Sequence, residues 1–315
     1  MKPLVSIIIV SHNQVTHLEQ AVHSALDQSY QNTEIIGVDD HSSDGTNELW
    51  LQLSVKYPRI KYLPRIAHQG YCKTFNRGFA MAHGKYIIDL SADDILLQER
   101  VAIGVDSLEQ APDEYGVHFT DAHYINERGE MISGYYKRNR KGLLKTQVPH
   151  GNIYQDLLER YFICTPSMMI KKQVLDTLGG YDERLYYEDL DFWIRSSRNY
   201  KYAFTDQVLV QKRVLANSMA KGQYRPGSSM LTSTYQVCEK ALQLNRSNSE
   251  HKALATRIGY ELRQCIFLNE YNLASQYLEL IDQLPSVPWY YQLAKRLVAL
   301  KWNWTFLRRM MKPAK

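Results

Sequence analysis

Three acidic clusters carry the chemical potential of this chain: Asp39-Asp40, Asp93-Asp94 and Glu188-Asp189-Leu190-Asp191. The first two each follow a short apolar run, Glu34-Ile35-Ile36-Gly37-Val38 in one case and Tyr86-Ile87-Ile88-Asp89-Leu90 in the other. Runs of this kind are strands of a buried sheet, and an open α/β sheet binds its ligands beyond the carboxyl ends of its strands. Carboxylates gathered at such an edge repel one another until a cation joins them. A hard divalent cation carrying a diphosphate relieves that repulsion. The pattern therefore implies an enzyme that handles a nucleoside diphosphate through Mg2+ or Mn2+.

Each cluster supports a chemical role and a plainer one. In Asp39-Asp40-His41-Ser42-Ser43-Asp44-Gly45-Thr46, a carboxylate at the strand end can accept from a base N–H or a ribose hydroxyl, and the turn supplies backbone donors. Asp40 is the ligand candidate, whereas Ser43 and Asp44 are accounted for as helix caps. In Ser91-Ala92-Asp93-Asp94, two acids can turn their oxygens into one cleft, where a metal would act as a Lewis acid on a leaving diphosphate. A cap for the segment starting at Ile95 is the plainer account. In Tyr186-Tyr187-Glu188-Asp189-Leu190-Asp191-Phe192-Trp193, acids open a helix, which its dipole favours anyway. One of Glu188, Asp189 and Asp191 can face a substrate as general base.

The elements that must position these groups alternate. Val5–Val10, Glu34–Val38, Ile60–Leu63 and Tyr86–Leu90 read as strands. Leu18, Ala21, Val22, Ala25 and Leu26 mark an amphipathic helix, another starts at Asp44-Gly45-Thr46, and a third spans Asn76–His83 before Gly84. This alternation predicts an α/β fold with a mixed, mostly parallel sheet covered by helices on both faces. Beyond Arg100 the pattern is less regular. Strands are expected at Tyr115–Thr120, Ser167–Ile170 and Val208–Val214, a helix at Asp189–Ser197, and a mobile basic loop over 134–151. From about Met230 only helices are expected: Leu231–Leu244, the pair Ala253–Leu268 and Leu273–Leu284 joined at Asn269-Glu270, and Trp289–Met311. Three regions follow: 1–217, a flexible loop 218–229, and an all-α region 230–315.

Composition narrows the class. An apolar share of 44% over 315 residues suits a soluble globular protein with a sizeable core. The four cysteines lie far apart with no metal-ligand spacing, as expected of reduced thiols in a cytosolic protein. The first apolar run ends at Ser11-His12-Asn13, so it is expected to be a strand and not a signal sequence. No apolar stretch reaches the ~20 residues that span a bilayer. The net charge of +5 is uneven, because seven basic residues and no acidic one follow Ser286. Together with a stripe of Trp289, Tyr290, Leu293, Leu297, Leu300, Trp304, Leu307 and Met311, they predict a basic amphipathic helix suited to an anionic membrane surface. The competing expectation is that the stripe packs on the helical region.

The three clusters in this order resemble family-two inverting glycosyltransferases of the GT-A (Rossmann-like) fold. Val5-Ser6-Ile7-Ile8-Ile9-Val10-Ser11-His12-Asn13 is similar to that family's first strand, and Ala25-Leu26-Asp27-Gln28-Ser29-Tyr30 with Glu34-Ile35-Ile36 to its next helix and strand. Val38–Thr46 is similar to its Val-Asp-Asp-Gly-Ser-x-Asp-Gly-Thr signature, with His41 in place of the usual glycine. Gly70, Asn76, Gly78 and Gly84 also fall where the family places them. The resemblance runs from Pro3 to Val214 and makes 1–217 the catalytic domain. It implies that Asp40 contacts the donor base and Asp93 the ribose or metal. It further implies that Asp94 coordinates Mn2+ or Mg2+, that Val10, Ser11 and Asn13 line the nucleotide-sugar site, and that Asp189 is the catalytic base. The implied reaction is a single inverting displacement from a nucleoside-diphosphate sugar, UDP first, to a saccharide or lipid-linked saccharide hydroxyl. The implied setting is bacterial surface polysaccharide synthesis in the cytoplasm or on the inner face of the plasma membrane.

Ser91, where many members carry a further Asp, and the lack of a His after the last strand (213–218) depart from the pattern. Three other readings compete. A silent nucleotide-sugar-binding or scaffolding module is at odds with the intact Asp94 and Asp189. A sugar nucleotidyltransferase would need a glycine-rich loop where Ser11-His12-Asn13-Gln14 stands. Nucleic-acid binding has no motif behind it, so no nucleic-acid partner is expected.

Overall fold

The structure is a computed structural model that describes residues 2–63, 67–216, 218, 222–287 and 290–301. Its contacts divide the chain into two compact units, one of residues 1–153, 162–184 and 199–215, the other of 154–161, 185–198 and 216–315.

The first unit carries all nine strands of one sheet: β1 (Val5–Ser11), β2 (Thr33–Asp39), β3 (Ile60–Leu63), β4 (Tyr86–Ser91), β5 (Ile95–Leu96), β6 (Tyr115–Ile125), β7 (Met131–Gly134), β8 (Met169–Lys171) and β9 (Lys201–Arg213). Their order is β3-β2-β1-β4-β8-β6-β9-β5, with β7 beside β6. β3, β2, β1 and β4 run parallel, and β6 is parallel to β9. β8 and β5 enter antiparallel. Every residue of β1 and β2 is buried, which is why both read as mainly apolar runs without polar alternation: strands covered on two faces have no solvent side to mark with polar residues. The cover comes from α1 (Val15–Leu26), α2 (Thr46–Lys56), α3 (Tyr71–Ala80), α4 (Arg100–Gln110) and, past β8, a helix over Lys172–Leu178. α1 buries Leu18, Ala21, Val22 and Ala25, the expected stripe. The chain visits β2 and β3 on one side of β1 and then crosses to β4 on the other. The carboxyl ends of β1 and β4 thus form the point where strand order reverses, the usual binding crevice of such sheets.

Several details differ from expectation, among them β9, which starts at Lys201 and not Val208. α3 starts at Tyr71, not Asn76, because Gly70 adopts φ +87° and opens the helix earlier. The basic stretch 134–151 contains the end of β7 and is tied to the sheet by Arg138, which pairs with the buried carboxylate of Asp121 and with Asp206.

The second unit is helical among its described residues. It contains α5 (Tyr154–Glu159), which precedes α6 (Lys172–Leu178) in the chain, then α7 (Asp189–Ser196), α8 (Ser229–Leu244), α9 (Asn248–Leu268), α10 (Tyr271–Asp282) and α11 (Tyr290–Leu300). Ser247 caps α9 by accepting from the Glu250 N–H, and Asn269, left-handed at φ +61°, closes it before α10 begins. α11 packs through Tyr291 and Val298, with the Tyr291 hydroxyl on the Ala255 carbonyl at 2.7 Å. Leu293 and Leu300 of the predicted stripe stand more than half exposed, at 56% and 53%. The rest of the stripe beyond Lys301 lies outside the described residues, as does part of the expected loop 218–229. Among the described residues no helix is long and apolar enough to cross a membrane.

Candidate active site

Asp39 and Asp40 sit at the carboxyl end of β2, opposite Ser11 of β1. Gly37, two residues earlier, leaves room for the Trp50 ring of α2. A Cβ there would lie 2.5 Å from that ring. Trp50 in turn donates its indole N–H to the Ser11 hydroxyl at 2.9 Å, and that hydroxyl donates to Asp39 Oδ1 at 3.0 Å. Asp39 also accepts from the Ser42 backbone N–H and hydroxyl. The Asp39 carboxylate is thus engaged in folding the strand end, and Ser11 contributes its buried hydroxyl to the same frame.

Asp40 is buried too, and its oxygens accept from the Gln69 N–H at 2.8 Å and the Gly70 N–H at 3.0 Å, at the entry to α3. His68 Nδ1 lies 3.1 Å from Asp40 Oδ2, and His12 Nδ1 2.8 Å from the Asp40 carbonyl. Asn13 laces the end of β1 to the next loop: its Oδ1 accepts from the Ser43 N–H at 2.9 Å and its N–H donates to the Ser42 hydroxyl at 2.8 Å. Asn13 and His41 are both left-handed, at φ +52° and +62°. A glycine would adopt the His41 conformation without steric cost, which explains physically why His41 stands out in this signature. Asp44 accepts from the N–H groups of Val15 and Thr46, the first residues of α1 and α2, while the N-cap position of α2 itself is Gly45 and not the expected Ser43 or Asp44. Val10 is buried near the carboxyl end of β1, with its carbonyl on the Ala92 N–H at 2.9 Å.

The second pair is built differently. The Asp94 N–H closes a turn on the Ser91 carbonyl at 3.0 Å, so the chain reverses directly after β4 and leads into β5. Asp94 is 4% exposed. One carboxylate oxygen accepts from the Arg213 N–H at 2.8 Å, and the other makes no hydrogen bond among the described residues. Burial, and next the charge of Asp93, push its carboxyl up to about 8, against the opposing pull of Lys212 and Arg213. Asp93 is half-buried beside it. Arg213 fastens the turn, with Nε on the Asp93 carbonyl at 2.9 Å, Nη1 on the Asn126 and Glu127 carbonyls, and Nη2 on Gln20. Sequence reading missed Arg213. Its only trace there was a basic residue ending an apolar strand.

The pair fits a hard divalent cation. It offers oxygen donors alone, with one hydrogen bond to the two oxygens of Asp94, and two protein carboxylates would leave coordination positions for phosphate oxygens and water, as Mg2+ and Mn2+ prefer.

The third cluster lies in the second unit. Asp191 is 1% exposed, with one oxygen on Arg195 at 2.7 Å and the other on Lys240 at 2.5 Å. Both oxygens are thus in ion pairs, and the side chain is almost closed to solvent, which fits a structural role. Asp189, the first residue of α7, is half-buried, and its charge is felt by the buried hydroxyls of Tyr161 and Tyr187.

Residues 6–179, more than half of the chain, match the family described as Glycosyl transferase family 2, and the chain belongs to that family. It is a glycosyltransferase of GT-A fold. TuaG of Bacillus subtilis (strain 168), provisionally named a teichuronic acid biosynthesis glycosyltransferase, is 24% identical over 225 residues, 71% of this chain and 84% of that protein. Among solved structures, S. aureus TarS 1–349 in complex with UDP-GlcNAc aligns with a TM-score of 0.72 at 15% identity, covering 98% of this chain and 93% of that one. The mannosyltransferase PcManGT from Pyrobaculum calidifontis, in complex with GDP-Man and Mn2+, aligns with a TM-score of 0.62 at 16% identity, covering 98% and 84%. At these identities the structural likeness speaks for the fold alone.

Proposed function

We propose that this glycosyltransferase moves a sugar from a nucleoside-diphosphate donor, UDP first, to a hydroxyl of a saccharide or lipid-linked saccharide, with inversion at the anomeric carbon. The observation that carries the reading is Asp94: a buried, under-compensated carboxylate paired with Asp93 at the carboxyl end of β4, where strand order reverses. In this reading Asp93 and Asp94 hold Mn2+ or Mg2+, which when bound acts as a Lewis acid toward the diphosphate. Arg213 keeps the two acids in register by fixing the backbone of both. Asp40 faces the nucleoside, its carboxylate oriented by the Gln69 and Gly70 N–H groups, while Val10, Ser11 and Asn13 shape the wall beside it. Asp189 takes the proton of the attacking acceptor hydroxyl. The ion-paired Asp191 supports this assignment by removing one rival. The bound nucleotide sugars of TarS and PcManGT and the Mn2+ of PcManGT favour the donor class and the cation, and the provisional assignment of TuaG to teichuronic acid biosynthesis favours a saccharide acceptor.

The reading extends to a membrane surface. α11 leaves Leu293 and Leu300 exposed next to Arg296 and Lys301, an arrangement suited to an anionic interface where lipid-linked acceptors reside.

A thermal-shift panel of UDP-, GDP- and TDP-sugars with and without Mn2+ tests the donor, since a ligand that binds only the folded chain raises Tm. The expected result is a cation-dependent rise with one nucleotide class, lost in Asp94→Asn. A rise that is indifferent to cation and to Asp94 would overturn the metal assignment. Anomer-resolved analysis of the transfer product tests inversion, and retention would exclude it.

A further inference from the structure

A second cluster of metal-ligating groups lies beside Asp40, chemically unlike the acid pair. One ring nitrogen of His12, one of His68 and a carboxylate oxygen of Asp40 all lie within 4.8 Å of one another. His12 comes from the end of β1, His68 from the approach to α3, and Asp40 from the end of β2, so only the fold brings them together. The imidazole centroids are 4.7 Å apart, and His68 Nδ1 is already 3.1 Å from Asp40 Oδ2. Donors around a tetrahedral zinc, with bonds of about 2.0–2.2 Å, stand roughly 3.3–3.5 Å apart. The two histidine rings are exposed, so modest side-chain rotation closes that difference without disturbing packing.

The surroundings favour a cation. The Asp40 carboxylate is fixed in place by the Gln69 and Gly70 N–H groups and needs no reorganisation. His12 Nδ1 sits 2.8 Å from the Asp40 carbonyl. A backbone carbonyl that accepts one ring N–H leaves the other nitrogen with its lone pair outward, the usual support of a metal-bound histidine. That second nitrogen, Nε2, lies 3.2 Å from the Asn13 side-chain amide, a contact that a cation would replace.

We propose that His12, Asp40 and His68 form a binding site for a borderline divalent cation of the zinc class, separate from the all-oxygen pair Asp93 and Asp94. Two imidazoles and a carboxylate select Zn2+, Ni2+ or Cu2+, whereas carboxylates with water select Mg2+ and Mn2+. The two sites therefore sort cations by ligand softness. A consequence, which rests on the proposed contact of Asp40 with the nucleoside, is that a cation here excludes the donor, so that zinc inhibits the enzyme competitively.

The test uses the full chain stripped of metal. Zn2+ binding is followed by calorimetry and Co2+ binding by its visible ligand-field absorption. Wild type is expected to bind one equivalent at this site. His12→Gln and His68→Asn should each weaken it by at least about tenfold, since loss of even an outer-shell partner costs about 10–100-fold. Asp94→Asn should leave it in place. Thermal melts by circular dichroism check that the variants, both at exposed positions, are folded. A double variant His12→Gln/His68→Asn that keeps wild-type Zn2+ affinity and an unchanged Co2+ spectrum overturns the site. Zn2+ inhibition of Mn2+-supported transfer that does not weaken as donor is raised overturns the competition. Absence of transfer in zinc-free, Mn2+-replete protein would instead strike the proposed function and leave the binding result standing.

Discussion

Asp39-Asp40 and Asp93-Asp94 are the same dipeptide, placed at the ends of the two strands that flank β1. Their physical states are opposite. Around the first pair, hydroxyls and backbone N–H groups from Ser11, Ser42, Gln69 and Gly70 reach both carboxylates. Around Asp94, one N–H reaches one oxygen, and burial with Asp93 holds its carboxyl at about 8. The first pair is built into the loops at its strand end, whereas Asp94 keeps one oxygen without a hydrogen bond among the described residues. What separates the two pairs is therefore how far their surroundings satisfy them and not their neighbours in sequence. In the third cluster Asp191 is doubly ion-paired, and Asp189 opens the helix with its Oδ1 accepting from the Leu190 N–H at 2.6 Å.

That contrast can be broken by mutation. The largest effect is expected at Asp189→Asn, which should lower kcat by up to about 10⁴ while sparing donor affinity, as removal of a general base does. Turnover within a few-fold of wild type would move the base to Glu188 or elsewhere. Next, Asp94→Asn should reduce transfer by about 10³, the equivalent of about 4 kcal/mol of lost transition-state stabilisation. It should not lower the metal-free urea midpoint at neutral pH, because a carboxyl held at about 8 is mostly protonated there and Asn is a neutral group of the same shape. A marked loss of stability would mean that Asp94 is structural.

Asp39→Ala should do the reverse, destabilising the fold by about 1–3 kcal/mol by stranding buried donors, with equilibrium unfolding as the readout. An unchanged midpoint would show that the hydrogen bonds around β1 and β2 are dispensable.

A pH-dependent effect concerns Asp89 of β4, a buried acid that accepts from Tyr71 at 2.7 Å and Tyr181 at 2.9 Å and whose carboxyl burial still raises to about 7. The folded chain keeps this proton after the unfolded chain has lost it near pH 4. The proton's stabilising contribution is therefore complete at low pH and is lost as pH rises from about 4 through about 7. Asp89→Asn should flatten the stability profile across that window, and an unaltered slope would refute the assignment.

Much of the first unit was legible because its central strands are buried on both faces. Val5–Val10, Glu34–Val38 and Tyr86–Leu90 have no polar alternation to disguise them, and α1 shows a clear stripe. The start of α3 was not legible, because its first turn, Tyr71-Cys72-Lys73-Thr74, buries a thiol and a hydroxyl in place of a large aliphatic residue. The length of β9 was hidden for a related reason: its polar middle, Thr205-Asp206-Gln207, lies next to register irregularities against β6. On α11 the apolar stripe suggested the packing face, yet Tyr291 and Val298 make the contact.

Local pattern alone determined the α/β class, the strand ends at Asp40 and Asp94, the helix opening at Asp189 and the basic bias after Ser286, since each depends on neighbours within a turn or a strand. Tertiary structure decided which carboxylates are satisfied, that Arg213 clasps the turn after β4, and that His12 and His68 meet over Asp40. Those outcomes depend on hydrogen bonds and desolvation imposed by segments 28 to 120 residues away, and no local pattern encodes them.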